Sequence, residues 1–454
     1  MGVEKPVISK ANLSGFIPFG YQCDVLRFIG NHDYRLFTPE ILLSGSVGSA
    51  KSILLAHIAI RHCIEYPGAC VAIGRRSLSD LKKTLFREIL EHLQDSMIEG
   101  EHFTARNNTG EIDFINGSRI ISVTWGDQRY KKFRSLKLSM VLIEELTEND
   151  DDFEPGFKIL KARLRRIPQV TQNILIAATN PDEPDSFWYK YFIEGAETFQ
   201  SRKVYYSITS DNPYLDRVYT DQLMQDYSVL EAERYLRGRW ISIAGKGIYH
   251  AYSEENNFLK QTYKADMTLP LRIAFDFNTA EGKPQSCAVF QLRPDQSFHF
   301  YHESIIDDAK WCIDNLDDLE AKGVFQGFQK FIVYGDATGR ARSSNSLRSN
   351  YELIEEWFAQ RRLICQLAVP RTNPPLVRRW TTVNAMCQNA KKETRLFVYH
   401  DCPVLNQGMK LARKKEGTSI EDDSKRYQHV TTAIGYAICH AKDEGSQKTK
   451  VIQL

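Results

Sequence analysis

The sequence has no Cys-x-x-Cys pair, although it holds nine cysteines: Cys23, Cys63, Cys70, Cys287, Cys312, Cys365, Cys387, Cys402 and Cys439. That scatter argues against a zinc knuckle or a disulfide framework and fits reduced, mostly buried thiols in a cytosolic compartment. No apolar run approaches the roughly 20 residues that cross a bilayer. Residues 1–10 contain no apolar signal core, so export is not expected. Neither sign of charge dominates, with 59 basic against 57 acidic residues and a net charge of +2. Any nucleic-acid surface must therefore come from local clustering. Internal repeats and long low-complexity segments are absent, which excludes a solenoid. What remains is a chain of 454 residues, 42% hydrophobic and 26% charged, long enough for two or three domains with separate cores.

Strand and helix signals alternate through the N-terminal half. Short apolar runs at 40–43, 69–74, 140–143 and 173–177 suit strands buried on both faces. Helical patterns begin at Lys51 and span 78–93. This alternation predicts an α/β fold with a parallel sheet. Residues 184–238 read as helical and aromatic. A polar stretch follows, and a second α/β pattern starts at Leu271, with strands at 272–275, 286–292 and 297–306, a helix at 311–321 and a strand ending at Asp336. The expected division is a motor domain over 1–240 with a helical subdomain, a linker over 241–257, and a second domain over 258–454.

The first strand runs into Gly45-Ser46-Val47-Gly48-Ser49-Ala50-Lys51-Ser52. A glycine-rich turn at a helix N-terminus lets backbone N–H groups converge on phosphate oxygens. Lys51 is placed to reach the terminal phosphates and Ser52 to offer its hydroxyl to Mg²⁺. Ala50 stands where the strict pattern has glycine. Met140-Val141-Leu142-Ile143-Glu144-Glu145 ends a neighbouring strand on tandem acids. Glu144 fits the metal position and Glu145 the base that orients water. Thr179 and Asn180 end a third strand, where they can sense the γ-phosphate. Tyr21-Gln22 offers an amide that can read an adenine edge. Arg75 or Arg76, at another strand end, is a candidate to stabilise charge on the transferred phosphoryl group, with Arg134 a further candidate.

Within the C-terminal half, Asp276 and Asp336 each close an apolar strand. A ribonuclease H-like sheet makes those strands neighbours, and two-metal phosphodiester cleavage needs carboxylates that converge. Asp422, Asp423 and His429, before and within the expected helix at 430–442, supply the third ligand, with Asp423 favoured and Glu303 as a fallback. Basic residues gather between the second and third acids, among them Arg340, Arg342, Arg361, Arg371, Arg379 and Lys414, and suit a phosphate backbone read without sequence preference.

In this order the motifs resemble the large terminase subunit of tailed bacteriophages. They run from Tyr21-Gln22 through the loop to Ser52, the tandem Glu144-Glu145, Ala178 to Asn180, Asp276, Asp336 and the last His-containing helix. The resemblance implies an ASCE-type P-loop ATPase joined to a ribonuclease H-like nuclease. It implies ATP with Mg²⁺ as cofactors and Mn²⁺ as a possible nuclease metal. The implied activity drives double-stranded viral DNA into a procapsid and cuts the concatemer. The implied partners are the DNA, the portal protein, the small terminase subunit and further copies in a pentameric ring, in the cytoplasm of an infected host. Thr432 stands where many members of that family carry Asp. Two other readings remain: a P-loop ATPase whose second domain only binds nucleic acid, and a host repair ATPase-nuclease.

Overall fold

The computed structural model describes residues 15–452 except 128, 149–152, 165–166, 168–169, 244–246, 278–282, 308–310, 342–347, 416–417 and 419, with side chains described to residue 443. Two compact units divide the chain: Met1–Thr220 with Glu233–Ser242, and Asp221–Ala232 with Ile243–Leu454. No helix among the described residues is long and apolar enough to cross a membrane.

The first unit is built on eight strands: β1 (Glu40–Gly45), β2 (Cys70–Arg75), β3 (Phe103–Arg106), β4 (Glu111–Phe114), β5 (Arg119–Thr124), β6 (Met140–Ile143), β7 (Ile174–Thr179) and β8 (Arg202–Ser207). Their order is β3-β4-β5-β2-β6-β7-β1-β8. The stretch from β5 to β8 is parallel throughout, and β3 and β4 add an antiparallel edge. The central strands are buried on both faces, which is why they read as unbroken apolar runs. Helices α1 (Gly20–Asn31), α2 (Lys51–Glu65), α3 (Leu78–Lys83) and α4 (Leu85–Gln94) follow in the chain. Leu54, Leu55, Ile58, Ile89 and Leu93 cover one side of the sheet. Trp125, Phe133, Phe157, Trp188 and Phe192 form a second core with Leu42, Val141 and Leu175.

Three features depart from the sequence reading. The expected helix over 78–93 is two helices, broken at Thr84 (φ −115°, ψ −104°). The region 184–238 contains β8 beside β1. As an edge strand, β8 is only half-buried and mixes Arg202, Lys203 and Tyr206 with apolar residues, so it carries no apolar run. The β3–β4–β5 meander was not anticipated either, because each strand is short and polar on one face.

The second unit holds β9 (Phe258–Leu259), β10 (Leu271–Asp276), β11 (Gln285–Leu292), β12 (Phe298–Ile306), β13 (Lys330–Gly335), β14 (Ile364–Leu367) and β15 (Leu396–Tyr399). They lie in the order β14-β13-β10-β11-β12-β15-β9. The β10–β11–β12 meander is antiparallel, while β13 and β14 run parallel to β10. This is the ribonuclease H-like arrangement expected from the two strand-end aspartates. The last helix, Arg426–Ile452, starts four residues before its expected first turn and packs Val430, Ala433, Ile434 and Ala437 into one core. From Ile248 onward the stretch read as a linker is part of this unit. Ile248 N–H donates to Ala412 O, and Tyr249 is buried beside the last helix, its hydroxyl on Thr431 O.

Candidate functional site

The loop between β1 and α2 is held open from below and from the side. Gly45 has no room for a side chain, since a Cβ there would lie 2.0 Å from Ser207 Oγ. Gly48 has φ +75°, and Ala50, the N-cap of α2, sits in the left-handed region at φ +61°, ψ +36°. Alanine tolerates that conformation at a cost of about 1–2 kcal/mol, so the chain keeps the loop geometry in spite of the glycine it lacks. Ser46 N–H donates to Ser207 O (3.0 Å), Val47 N–H to Tyr235 O (2.8 Å), and Thr209 Oγ1 donates to Val47 O (2.7 Å). The first N–H groups of α2, as at any helix N-terminus, have no partner inside the helix, an arrangement that can take an anion.

Lys51 is buried. Its ammonium donates to Gly45 O and Ser46 O (2.8 Å each) and to Asn180 Oδ1 (3.0 Å). Burial pushes its pKa down to about 8, against the pull of Glu145 and Glu144. Ser52 Oγ donates to Glu144 Oε1 at 2.7 Å. That hydroxyl–carboxylate pair, at the end of the helix that would hold phosphates, fits Mg²⁺, a hard ion that prefers oxygen. Arg75 and Thr84 both bond the other oxygen of Glu144, Arg75 at 3.4 Å. Arg75 also pairs with Glu148 at 2.5 Å.

Glu145 adopts φ +49°, a left-handed conformation that bulky residues avoid. Burial raises its carboxyl pKa, with Lys51 opposing. Ser52, Arg75, Thr84, Glu144 and Glu145 line one pocket of about 430 Å³. Arg75 therefore points into the site, while Arg76 is exposed and donates to Glu148 O. Arg134 is also exposed, on the turn Tyr130–Ser135. Thr84 and Glu148 were missed by sequence reasoning. The helix break that delivers Thr84 has no sequence signature, whereas Glu148 could have been found as the third acid following Ile143.

Gln22 packs against the phosphate loop. It is fully buried, its amide nitrogen donates to Ala50 O (3.1 Å), and its oxygen accepts from Phe19 N–H (3.3 Å). Tyr21 likewise gives its hydroxyl to Ser49 O at 2.8 Å. The pair buttresses the loop, with one N–H and one lone pair of the Gln22 amide engaged. At the end of β7, Thr179 bonds Thr147 (2.6 Å), tying the segment after the tandem acids to Asn180 and through it to Lys51.

In the second unit Phe275 pairs with Gly335 in parallel register, so Asp276 and Asp336 leave adjacent strand ends side by side. Asp276 is buried, and its Oδ2 lies 3.1 Å from His429 Nδ1. Asp336 accepts from Thr338 N–H and from Asn373 Nδ2, both at 2.7 Å. Asn373 was not anticipated, because nothing in its neighbourhood marks it. Among the described residues none of the expected third acids completes a close group with Asp276 and Asp336. Asp423 is half-exposed and paired with Lys283, which holds its carboxyl below the usual carboxylate range. Asp422 is half-exposed and caps its own turn through Ser424 N–H. Glu303 is taken up at the start of the helix Pro403–Leu411, accepting from Val404 and Leu405 N–H at 2.8 Å each. Among the described residues no group of three or more His, Cys, Asp and Glu side chains stands close enough to hold one ion. Asp276, Asp336 and His429 are the donors that fit part of a divalent site.

Two of the basic residues assigned to a phosphate-binding surface are engaged elsewhere. Arg379 is buried against Glu421 (2.8 Å), which also takes Trp380 Nε1 and Thr432 Oγ1. Arg361 forks onto Glu320. Arg342 lies outside the described residues.

The fold and these sites define a P-loop nucleotide-binding unit joined in one chain to a ribonuclease H-like unit. The model of the phage terminase large subunit family matches residues 39–240. The large terminase of a thermophilic bacteriophage has the same fold across nearly the whole chain, with a TM-score of 0.56 at 13% identity over 93% of this chain and 98% of that one. Its ADP complex gives 0.57 at 12% identity, and its ATP-γ-S complex 0.55 at 14%, with the same coverage. No curated protein matches the sequence.

Proposed function

We propose that this chain is a genome-packaging large terminase subunit that hydrolyses ATP to move double-stranded viral DNA into a procapsid and cuts the concatemer. The observation that carries the reading is the convergence of Lys51, Ser52, Glu144, Glu145 and Asn180 at the ends of β1, β6 and β7. Lys51 and the α2 N-terminus bind the phosphates. Ser52 and Glu144 hold Mg²⁺, which screens phosphate charge when bound. Glu145, its pKa raised by burial, takes a proton from the attacking water, and Arg75 offsets charge at the phosphoryl group.

In the second unit Asp276, Asp336 and His429 contribute donors to a divalent site for Mg²⁺ or Mn²⁺, and the basic residues between 340 and 415 other than Arg361 and Arg379 hold the DNA backbone. The partners of this reading are the portal protein, the small terminase subunit and copies of the chain in a pentameric ring, in the host cytoplasm. The domain division follows from it: a motor within 1–240 and a nuclease within 258–454. The test is DNA-stimulated ATP hydrolysis by the full chain together with metal-dependent cleavage of plasmid DNA. A protein that hydrolyses ATP but leaves plasmid intact with Mg²⁺ and with Mn²⁺ would support a second reading, in which the ribonuclease H-like unit only binds nucleic acid.

A further inference from the structure

The two oxygens of the Asp336 carboxylate are not equivalent. Asp336 follows β13 and is the N-cap of the turn Ala337–Arg340, so its Oδ1 accepts from Thr338 N–H at 2.7 Å. The same Oδ1 accepts from Asn373 Nδ2, also at 2.7 Å. A carboxylate offers about four lone-pair sites over its two oxygens, so the pair on Oδ1 is filled. Among the described residues no hydrogen bond reaches Oδ2. The Tyr351 hydroxyl donates to Asp336 O at 2.8 Å and ties down the backbone of the same residue.

Asn373 is itself held in place. Its Oδ1 accepts from Ala337 N–H at 2.8 Å. A backbone N–H only donates, so the carboxamide can turn only its nitrogen toward Asp336. Asn373 also precedes Pro374 and Pro375, and a residue before proline is confined to extended backbone. The helix Leu376–Cys387 starts directly after them. Two hydrogen bonds from one stiff segment therefore hold a single orientation of the Asp336 carboxylate.

We propose that Asn373 makes Asp336 a one-oxygen metal ligand, through Oδ2, and thereby selects Mg²⁺ or Mn²⁺ against Ca²⁺ in the second unit. The inference rests on the divalent site proposed above and adds the residue that decides which ion it admits. Ca²⁺ gathers about six to eight oxygens in flexible geometry and can take both oxygens of one carboxylate, whereas a smaller ion such as Mg²⁺ is satisfied by an octahedron of single oxygens. With both lone-pair sites of Oδ1 spent on N–H groups, two-oxygen binding by Asp336 is closed. Asn373 acts through Asp336 and is a positioning residue.

The experiment is calorimetric titration of the full chain with Mn²⁺ alone and with Ca²⁺ alone, without nucleotide, at neutral pH. The binding that disappears in Asp336→Asn is the binding that belongs to this site. Wild-type protein is expected to bind Mn²⁺ there more tightly than Ca²⁺. Asn373→Ala frees Oδ1 and should lower the ratio of Mn²⁺ to Ca²⁺ affinity by about 10-fold or more, the scale on which partners of metal ligands act. Asn373→Asp keeps the acceptor for Ala337 N–H and loses only the donor, so it should lower the ratio as well. It separates a role at the Asp336 carboxylate from a role in holding the turn. An unchanged ratio in either variant, or a wild-type site that prefers Ca²⁺, overturns the inference. Isotherms that Asp336→Asn leaves unaltered overturn the divalent site itself, and this inference falls with it.

Discussion

Asn180 Oδ1 accepts a hydrogen bond from Lys51 Nζ at 3.0 Å, joining the end of β7 to the phosphate loop. In the same way Thr179 bonds Thr147, just past the tandem acids. A phosphate that draws on Lys51 is expected to change the partners of Asn180, so its loss should register at the end of β7.

Lys51→Ala removes the ammonium that bonds Gly45 O, Ser46 O and Asn180. ATP turnover should fall by about 10²–10³-fold, the usual effect of deleting one group that stabilises transition-state charge. Cleavage of plasmid DNA by the same variant should be unchanged. Phosphate-release assays and gel nicking assays on one preparation measure both.

The two tandem acids separate by role. Glu145→Gln keeps shape and removes the base, so nucleotide should still bind while turnover falls by about 10²-fold or more. Glu144→Gln disturbs Ser52, Arg75 and Thr84 together, so Mg²⁺-dependent nucleotide affinity should drop. Identical binding isotherms for the two variants would contradict the division.

Asp276→Asn and Asp336→Asn should each abolish metal-dependent cleavage, and His429→Ala, which loses the 3.1 Å contact to Asp276, should lower it by about 10-fold or more. Asp423→Ala should lower it by less than about 3-fold, because an exposed Lys–Asp pair contributes little. Plasmid nicking across a Mn²⁺ and Mg²⁺ series reads all four. Loss of cleavage in Asp423→Ala alone would restore that residue as a ligand.

His62 is buried in the first unit, 2.9 Å from Ser139 Oγ, and burial pushes its pKa down to about 4. Between pH 4 and about 6.5 the unfolded chain binds a proton there that the folded chain does not, so stability falls as pH drops through that window. The loss is on the order of 3 kcal/mol for the full window. Melting temperatures from pH 7 to 4 should fall less steeply for His62→Gln than for the wild type. Parallel curves would remove His62 as a source of acid sensitivity.

The features of the site that were legible in the sequence are those written in consecutive residues. The loop Gly45–Ser52, the tandem acids after Ile143 and the aspartates closing β10 and β13 each follow an apolar strand, so position along the chain fixes position in the fold. Residues brought in from elsewhere were not legible. Thr84 arrives through a break between two helices, Asn373 from a loop, and Asp423 is drawn off by Lys283. A hydrogen bond between distant residues leaves no local pattern.

The sequence by itself determined two α/β units, the order of their motifs, and which strand ends carry acids. Burial dictates those features, because a strand covered on both faces must be an apolar run and its first polar residue marks the edge. Tertiary structure alone decided where individual side chains point. Arg75, the last residue of β2, lines the pocket, while Arg76 just beyond it is exposed, since successive side chains leave a strand on opposite faces. Gln22 is buried with its amide donating to Ala50 O, and only the assembled loop presents that carbonyl to it.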